Sequence, residues 1–171
     1  MLSFACETND DLVSIREVVT AAFGQTDEAK LIEVIRNSQN FIPELSIVAV
    51  EDGEVLGHIL FSAIAIEVQG QIVPALALAP LAVTPNCQRQ GIGSQLIQNG
   101  LSKCRQLDHS IVVVVGHPHY YGRFGFQKAS QFSLHSSISF PDEVFMVLEL
   151  KPGALSNISG TVRYPAYFEE V

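Results

Sequence analysis

Apolar residues in the first 36 positions recur at helical spacing in two runs. Leu12, Ile15, Val18, Val19 and Ala22 lie three and four apart behind Asp10 and Asp11, which predicts a helix with one apolar face and acids at its positive end. Thr26-Asp27-Glu28 opens a second run through Leu31, Ile32 and Ile35, with Thr26 placed as its N-cap. The short apolar segment Leu2 to Cys6 ahead of both predicts a first strand. Ser46 to Val50 is rich in β-formers and ends at Asp52-Gly53, a hairpin signal. Val55 to Val68 predicts a long strand closed by a second tight turn, Gln69-Gly70-Gln71, and Ile72 to Thr84 another. Three strands joined by tight turns form an antiparallel meander. Pro80 falls inside the third strand. Proline cannot donate to a ladder, so a bulge is expected there, or a strand that leaves its neighbour.

The pattern then changes period. Gly93 to Leu107 is helical, with Leu96, Ile97, Gly100, Leu101 and Cys104 on one face, and the unbroken run Ile111 to Val115 predicts a strand buried on both sides. His117 to Phe126, dense in aromatics with glycines at 122 and 125, predicts a short helix ending in a turn. Strands are expected around Phe126–Phe132 and Val144–Leu150, with a tail near Thr161–Phe168. The order is β-α-α-β-β-β-α-β-α-β-β, an α+β pattern. No repeat, low-complexity tract or linker interrupts it, so residues 1–171 are expected to form a single domain.

Composition narrows the functions open to this pattern. Ten Lys+Arg stand against eighteen Asp+Glu, a net charge of −8, with a pI of about 5.0. A nucleic-acid binder needs a basic face, so that class is set aside. An acidic surface leans toward cationic small molecules or peptides. Mean hydropathy is +0.26, yet no stretch of about 18 apolar residues occurs, so no membrane span is expected. MLSFACETNDD lacks a basic region ahead of an apolar core, which predicts a chain without a secretory leader and a cytoplasmic location. Cys6, Cys87 and Cys104 show neither CxxC nor Cys/His ligand spacing, so they read as reduced thiols and no metal is expected.

The candidate chemistry sits between the meander and the second amphipathic helix, in Val83-Thr84-Pro85-Asn86-Cys87-Gln88-Arg89-Gln90-Gly91-Ile92-Gly93-Ser94. Backbone N–H groups at a glycine turn opening a helix form a concave anion site, which the helix dipole strengthens. A dinucleotide fingerprint fails, because position 96 is Leu96 instead of a third glycine and Ile111 stands where a ribose-binding acid belongs. The phosphate-binding Gly-Lys-Ser/Thr of a P-loop is missing too. Taken alone, two glycines also fit an ordinary helix start.

Gln88-x-x-Gly91-x-Gly93 resembles the Q/R-x-x-G-x-G/A signature of the GNAT superfamily of acyl-CoA-dependent N-acyltransferases, with Leu81-Ala82-Val83-x-Pro85 before it and Leu96-Ile97 after it in the family's pattern. Tyr121-Gly122-Arg123-Phe124-Gly125-Phe126 independently resembles that family's Y-x-x-x-G-F segment. With the segment Gly160 to Phe168, the chain is most similar to the YhbS-like bacterial branch. The resemblance implies a mixed, mostly antiparallel sheet with helices on both faces and strands splayed where CoA binds. It further implies acetyl-CoA as acyl donor, no metal, and an N-acetyltransferase acting on a small-molecule or peptidyl amine by direct attack in a ternary complex. A non-catalytic CoA-binding sensor or partner module is the alternative.

The same resemblance assigns residues. Gln88, Arg89, Gln90, Gly91, Ile92, Gly93 and Ser94 would hold the CoA diphosphate, Leu81, Ala82 and Val83 would face the pantetheine and thioester, and Phe124 would wall the CoA arm. Tyr121 takes the general-acid position, protonating the departing sulfur, while Tyr120 reads as packing. Relatives often carry a glutamate on the strand before the loop, but residues 75–83 contain no ionisable group, which leaves His117 as the leading candidate base. His119, Glu67 and Asp27 rank behind it, and His58 and His135 read as structural. The aromatic tail Tyr164–Phe168 is expected either to join a homodimer or to pack on its own core.

Overall fold

Two left-handed turns fold the middle of the chain back on itself. Asp52 and Gly53 have φ of 51° and 79°, and Gln69 and Gly70 repeat those values, the turn geometry that suits the right-handed twist of a hairpin. They join β2 (Phe41–Glu51), β3 (Glu54–Val68) and β4 (Gln71–Val83) into the expected antiparallel meander. The computed structural model describes residues 1–170. Ahead of the meander run β1 (Ser3–Cys6), α1 (Leu12–Phe23) and α2 (Asp27–Arg36). After it come α3 (Ile92–Gln106), β5 (Ile111–Val115), α4 (Pro118–Gly122), β6 (Gln127–Lys128), β7 (Leu134–Ser136), β8 (Phe145–Glu149) and β9 (Gly160–Arg163). A 3-10 turn spans Ala166–Glu170.

The strands form one sheet in the order β1-β2-β3-β4-β5-β8-β6, with β9 paired to the far end of β3 and β7 paired to β9. Alternation along the strands sorts the core into two faces. Ile47, Ala49, Ile59, Phe61, Val112 and Val114 meet Leu96, Ile97 and Leu101 of α3. Val48, Leu60 and Ala82 point the other way, onto Ile15, Val19, Ile32 and Ile35 of α1 and α2. Helices therefore cover both faces, as expected.

Pro80 does both things its chemistry allows. The ladder between β3 and β4 slips there, from Ile59↔Leu81 to Phe61↔Leu78. The parallel pairing of β4 with β5 covers Leu76–Leu78 against Val112–Val114 and ends at that point. The Ala79–Pro80 peptide is cis.

The C-terminal third departs from expectation. The strand anticipated over Phe126–Phe132 is confined to Gln127–Lys128 and gives way to a 3-10 turn, Ala129–Phe132, because Ala129 is drawn into the core. Ser133 at φ 56° then redirects the chain into β7, which the sequence did not signal. The last strand stops at Arg163, two residues before Pro165. The aromatic tail packs on its own chain. Tyr164 stands edge-on to Phe140 at 5.6 Å and to Phe168 at 5.2 Å, and Asn40 Nδ2 donates to the Tyr167 hydroxyl at 3.0 Å. The tail thus packs on its own core, one of the two expectations for it.

A polar network ties Glu7, the residue after β1, to α2, β2 and β3. Arg36 Nε and Nη2 donate to the two Glu7 oxygens at 2.8 and 3.0 Å. The Ser46 hydroxyl donates to the same carboxylate, and His58 Nε2 lies 2.8 Å from Ser46 Oγ. His58 is fully buried and its Nδ1 has no partner. Burial pushes the His58 pKa down against the pull of Glu7. Burial acts to raise that of Glu7, but the approach of His58 Nε2 to 3.6 Å and the hydrogen bonds from Arg36 and Ser46 prevail and lower it to about 2. Both folded values lie below the unfolded values of 6.5 and 4.5, so stability is full above the histidine value and is lost as pH falls. Denaturant unfolding should show a midpoint that declines from pH 7.5 to 5 and again below 4.5. Glu7→Gln should cost about 3 kcal/mol at pH 7 by leaving a partly buried arginine without its charge partner, and should flatten the lower limb. A midpoint independent of pH in wild type would refute the coupling.

Candidate active site

The break between β4 and β5 opens a V in the sheet, and the candidate residues gather on its two sides. On one side the chain leaves β4 through a single 3-10 turn, Pro85–Cys87. Gln88 Nε2 reaches back to donate to Val83 O at 3.0 Å, pinning the loop to the strand end. Arg89 and Gly91 are left-handed, at φ 64° and 87°, and alternation of this kind turns backbone N–H groups toward a common centre. Gln95 N–H bonds back to Gly91 O at 3.1 Å. The N–H groups of Ile92, Gly93 and Ser94 precede it in the first turn of α3, where no helical carbonyl meets them.

This loop floors a groove of about 400 Å³ lined by Leu81, Val83, Cys87, Gln88, Arg89, Gly91, Gly93, Ser94, Tyr120 and Arg123. Arg89 and Arg123 are the only formal charges among the described residues that line it. The Arg123 guanidinium lies 4.8 Å from the centre of the Tyr120 ring and 5.3 Å from that of Phe124, and its Nη2 donates to Ser94 Oγ at 3.2 Å. The glycines have different tasks. Gly91 supplies the left-handed turn. A Cβ on Gly93 would stand 2.7 Å from the Tyr120 hydroxyl, so its bareness lets Tyr120 approach the helix start.

The remaining residues proposed for the donor are placed otherwise. Ala82 and Ile92 are buried with side chains in the core, so only their backbone faces the site. Gln90 is exposed, its amide 3.5 Å from Asn86 O. Phe124 packs edge-on against Tyr120 at 5.7 Å and supports the groove from behind without lining it.

A second cavity of about 310 Å³ lies across Leu81, which borders both. Ala77 to Leu81, Val115 and Tyr121 line its sheet side, and Phe23, Glu28, Leu31, Phe140, Tyr164 and Phe168 the rest. Tyr121 is held firmly. Its ring is edge-on to Tyr120 at 5.1 Å and Phe126 at 5.7 Å, and it fills the space where Gly116 has no side chain, since a Cβ there would lie 2.3 Å from Tyr121 Cε2. Its hydroxyl makes no hydrogen bond to another described residue, although the ring is buried. Burial, then the neighbouring Tyr120, pushes its pKa above the ordinary phenol value, so it holds its proton at neutral pH. His117 is not brought to this place. It is the exposed N-cap of α4 and lines neither cavity. Glu67 is taken up by Arg163 on the far end of β3. Among the described residues no group of three metal-ligating side chains occurs, and no helix is long and apolar enough to cross a membrane.

Residues 7–129 match the model of the acetyltransferase (GNAT) domain family. The chain belongs to this family. The N-acetyltransferase YhbS of Escherichia coli (strain K12) is 33% identical to it over 159 residues, 92% of this chain and 93% of that protein. The N-acetyltransferase YjhQ of the same strain is 37% identical over 125 residues, 73% of this chain and 69% of that one. Among solved structures, E. coli YhbS in complex with CoA superposes with a TM-score of 0.90 at 30% identity, covering 98% of this chain and 92% of that one. A GNAT acetyltransferase from Brucella melitensis in complex with acetyl-CoA gives 0.80 at 31% identity, covering 98% of both chains. The mixed, mostly antiparallel sheet and its splayed strands are thus those of a GNAT fold.

Sequence reasoning located the glycine loop and Tyr121 but missed part of the surroundings. Tyr120, read as packing, lines the groove with Arg123, which follows it by three residues in the segment that carries Tyr121. Glu28, Phe23, Phe140 and Tyr164 come together only through the tertiary fold.

Proposed function

We propose that the protein transfers an acetyl group from acetyl-CoA to a primary amine, with donor and acceptor bound together and the amine attacking directly. The reading rests on one arrangement, a groove over the glycine loop and a half-open cavity that meet at Leu81, with Tyr121 on the cavity side. Acetyl-CoA supplies the thioester carbonyl. The first-turn N–H groups of α3 with Arg89 and Arg123 hold its phosphates. The backbone of Leu81–Val83, freed from β5, is an open strand edge on which an extended pantetheine arm can pair. Tyr121, protonated and without a hydrogen-bond partner among the described residues, donates to the sulfur as the C–S bond breaks. The acceptor binds as its ammonium and attacks as the neutral amine once one proton has left for solvent. The second proton, shed by nitrogen as the tetrahedral intermediate collapses, also passes to solvent and Tyr121 is reprotonated from there, since among the described residues no imidazole or lysine lines the cavity.

Free-thiol release measured with acetyl-CoA and a panel of amines tests this. Amine-dependent release supports the enzyme. Binding of acetyl-CoA without any amine-dependent release would instead make the chain a CoA-binding module. His117→Ala should leave both the rate and the pH–rate profile unchanged, the profile rising with pH toward the pKa of the amine itself. A loss of rate confined to low pH in that variant would restore His117 as base.

A further inference from the structure

The cavity beside Tyr121 is larger and more aromatic than a two-carbon acyl group requires. At about 310 Å³ it sits at the small end of small-molecule sites, which run from about 300 Å³ upward. Phe140, Tyr164 and Phe168 form one continuous aromatic wall through edge-on contacts of 5.6 and 5.2 Å, and Phe23 adds to it from the end of α1. Glu28, in the first turn of α2, is the only formal charge among the lining residues. It is half-buried, and Gln25 Nε2 donates to both its oxygens at 3.1 and 3.2 Å, which orients the carboxylate. The Tyr121 and Tyr164 phenols, pushed up by burial, stay neutral at neutral pH. One fixed negative charge therefore faces a pocket whose other walls are apolar or aromatic.

We propose that this cavity selects a small primary amine with an aromatic or bulky apolar arm, its ammonium held by Glu28 and its arm by Phe140, Tyr164 and Phe168. The inference rests on the acetyltransferase reading and names its acceptor class. A carboxylate and ring faces both favour a cation, and the rings reward an apolar arm by removing its surface from water. A polyamine would bring further ammonium groups against the rings, with no second carboxylate among the described lining residues to meet them. A peptide would keep most of its backbone outside the half-open cavity, where the aromatic wall adds nothing to its binding. A long acyl chain in this space would desolvate Glu28 without compensation.

The probes are 2-phenylethylamine, its neutral analogue 2-phenylethanol, spermidine and a lysine-containing peptide. Turnover is followed by thiol release with acetyl-CoA, and binding by calorimetry on the CoA-loaded protein, where no transfer takes place. Phenylethylamine should exceed spermidine and the peptide about ten-fold or more in kcat/KM, and should bind about ten-fold more tightly than phenylethanol. Glu28→Gln should raise the KM for phenylethylamine about ten-fold, leave the KM for acetyl-CoA unchanged, and erase the difference between amine and alcohol. Glu28→Asp should restore part of that difference. Preference for spermidine or the peptide overturns the inference, as does equal binding of amine and alcohol to wild type. Faster turnover of hexanoyl-CoA than of acetyl-CoA also overturns it, giving the aromatic wall to the donor. Tight, charge-dependent amine binding without any turnover supports the inference while refuting the acetyltransferase reading. Failure of both turnover and binding overturns the inference.

Discussion

Tyr121→Phe should lower kcat about a hundred-fold, with the KM for acetyl-CoA nearly unchanged. The substitution removes one oxygen and nothing else. The ring keeps its contacts with Tyr120, Phe126 and the bare face of Gly116. The hydroxyl has no hydrogen-bond partner among the described residues, so no orphaned polar group is left behind and the fold should be unaffected. What is lost is a proton at the sulfur in the transition state, a contribution of about 10²–10⁴ for a general acid. The lower end applies because a thiolate leaves readily by itself. An interaction made only in the transition state shows in kcat and not in KM. Burial raises the Tyr121 pKa, and an acid must carry its proton to act, so wild type should show no alkaline loss of kcat below the ordinary phenol value of about 10. Tyr120→Phe separates the neighbours. Tyr120 lines the donor groove, so its loss should weaken acetyl-CoA binding and spare kcat. Should the two variants exchange these effects, the acid is Tyr120. Should neither lower kcat, the sulfur leaves without a tyrosine.

What the sequence revealed and what it hid divide along a physical line. Features fixed by a residue's own backbone chemistry were legible. Asp52-Gly53 and Gln69-Gly70 adopt the positive φ that hairpins need, and Pro80 ends the β4–β5 pairing where it breaks the pattern of donors. Gly91 takes the left-handed turn. Features assembled from distant segments were not. Glu28 looks like an ordinary first-turn acid until Phe140 and Tyr164, more than a hundred residues away, close around it. His117 is the base the sequence offers once residues 75–83 are seen to hold no ionisable group. Yet β5 ends at Val115, and the chain then turns so that His117 caps α4 in solvent while Tyr121, one turn later, points inward. The pairing of β7 with β9 was equally hidden, since three residues carry too little periodicity to mark a strand.

Gly91→Val should abolish the thermal stabilisation that acetyl-CoA confers. A ligand at about 100 times its Kd stabilises a protein by about 2.7 kcal/mol, which is about 5–10 °C for a domain of this size. Gly91 sits at φ 87°, immediately before α3. A β-branched residue is strongly disfavoured there, with strain of about 1–3 kcal/mol. The loop would relieve it by rotating, and the N–H groups of Ile92, Gly93 and Ser94 would no longer converge. Steric crowding inside the protein is not the cause, because a Cβ at this position would come no nearer than 3.9 Å to Gln95 Nε2. The unliganded variant should therefore melt only a few degrees below wild type and remain folded by circular dichroism. Gly91→Asn distinguishes conformation from obstruction. Asparagine tolerates the left-handed region, so it should keep the unliganded melting temperature near wild type. If it also keeps the ligand shift, the turn alone matters; if it loses the shift, the donor's phosphates need the space beside Gly91 as well. A full acetyl-CoA shift in Gly91→Val would move the diphosphate away from this loop, and with it the role given to Arg89 and Arg123.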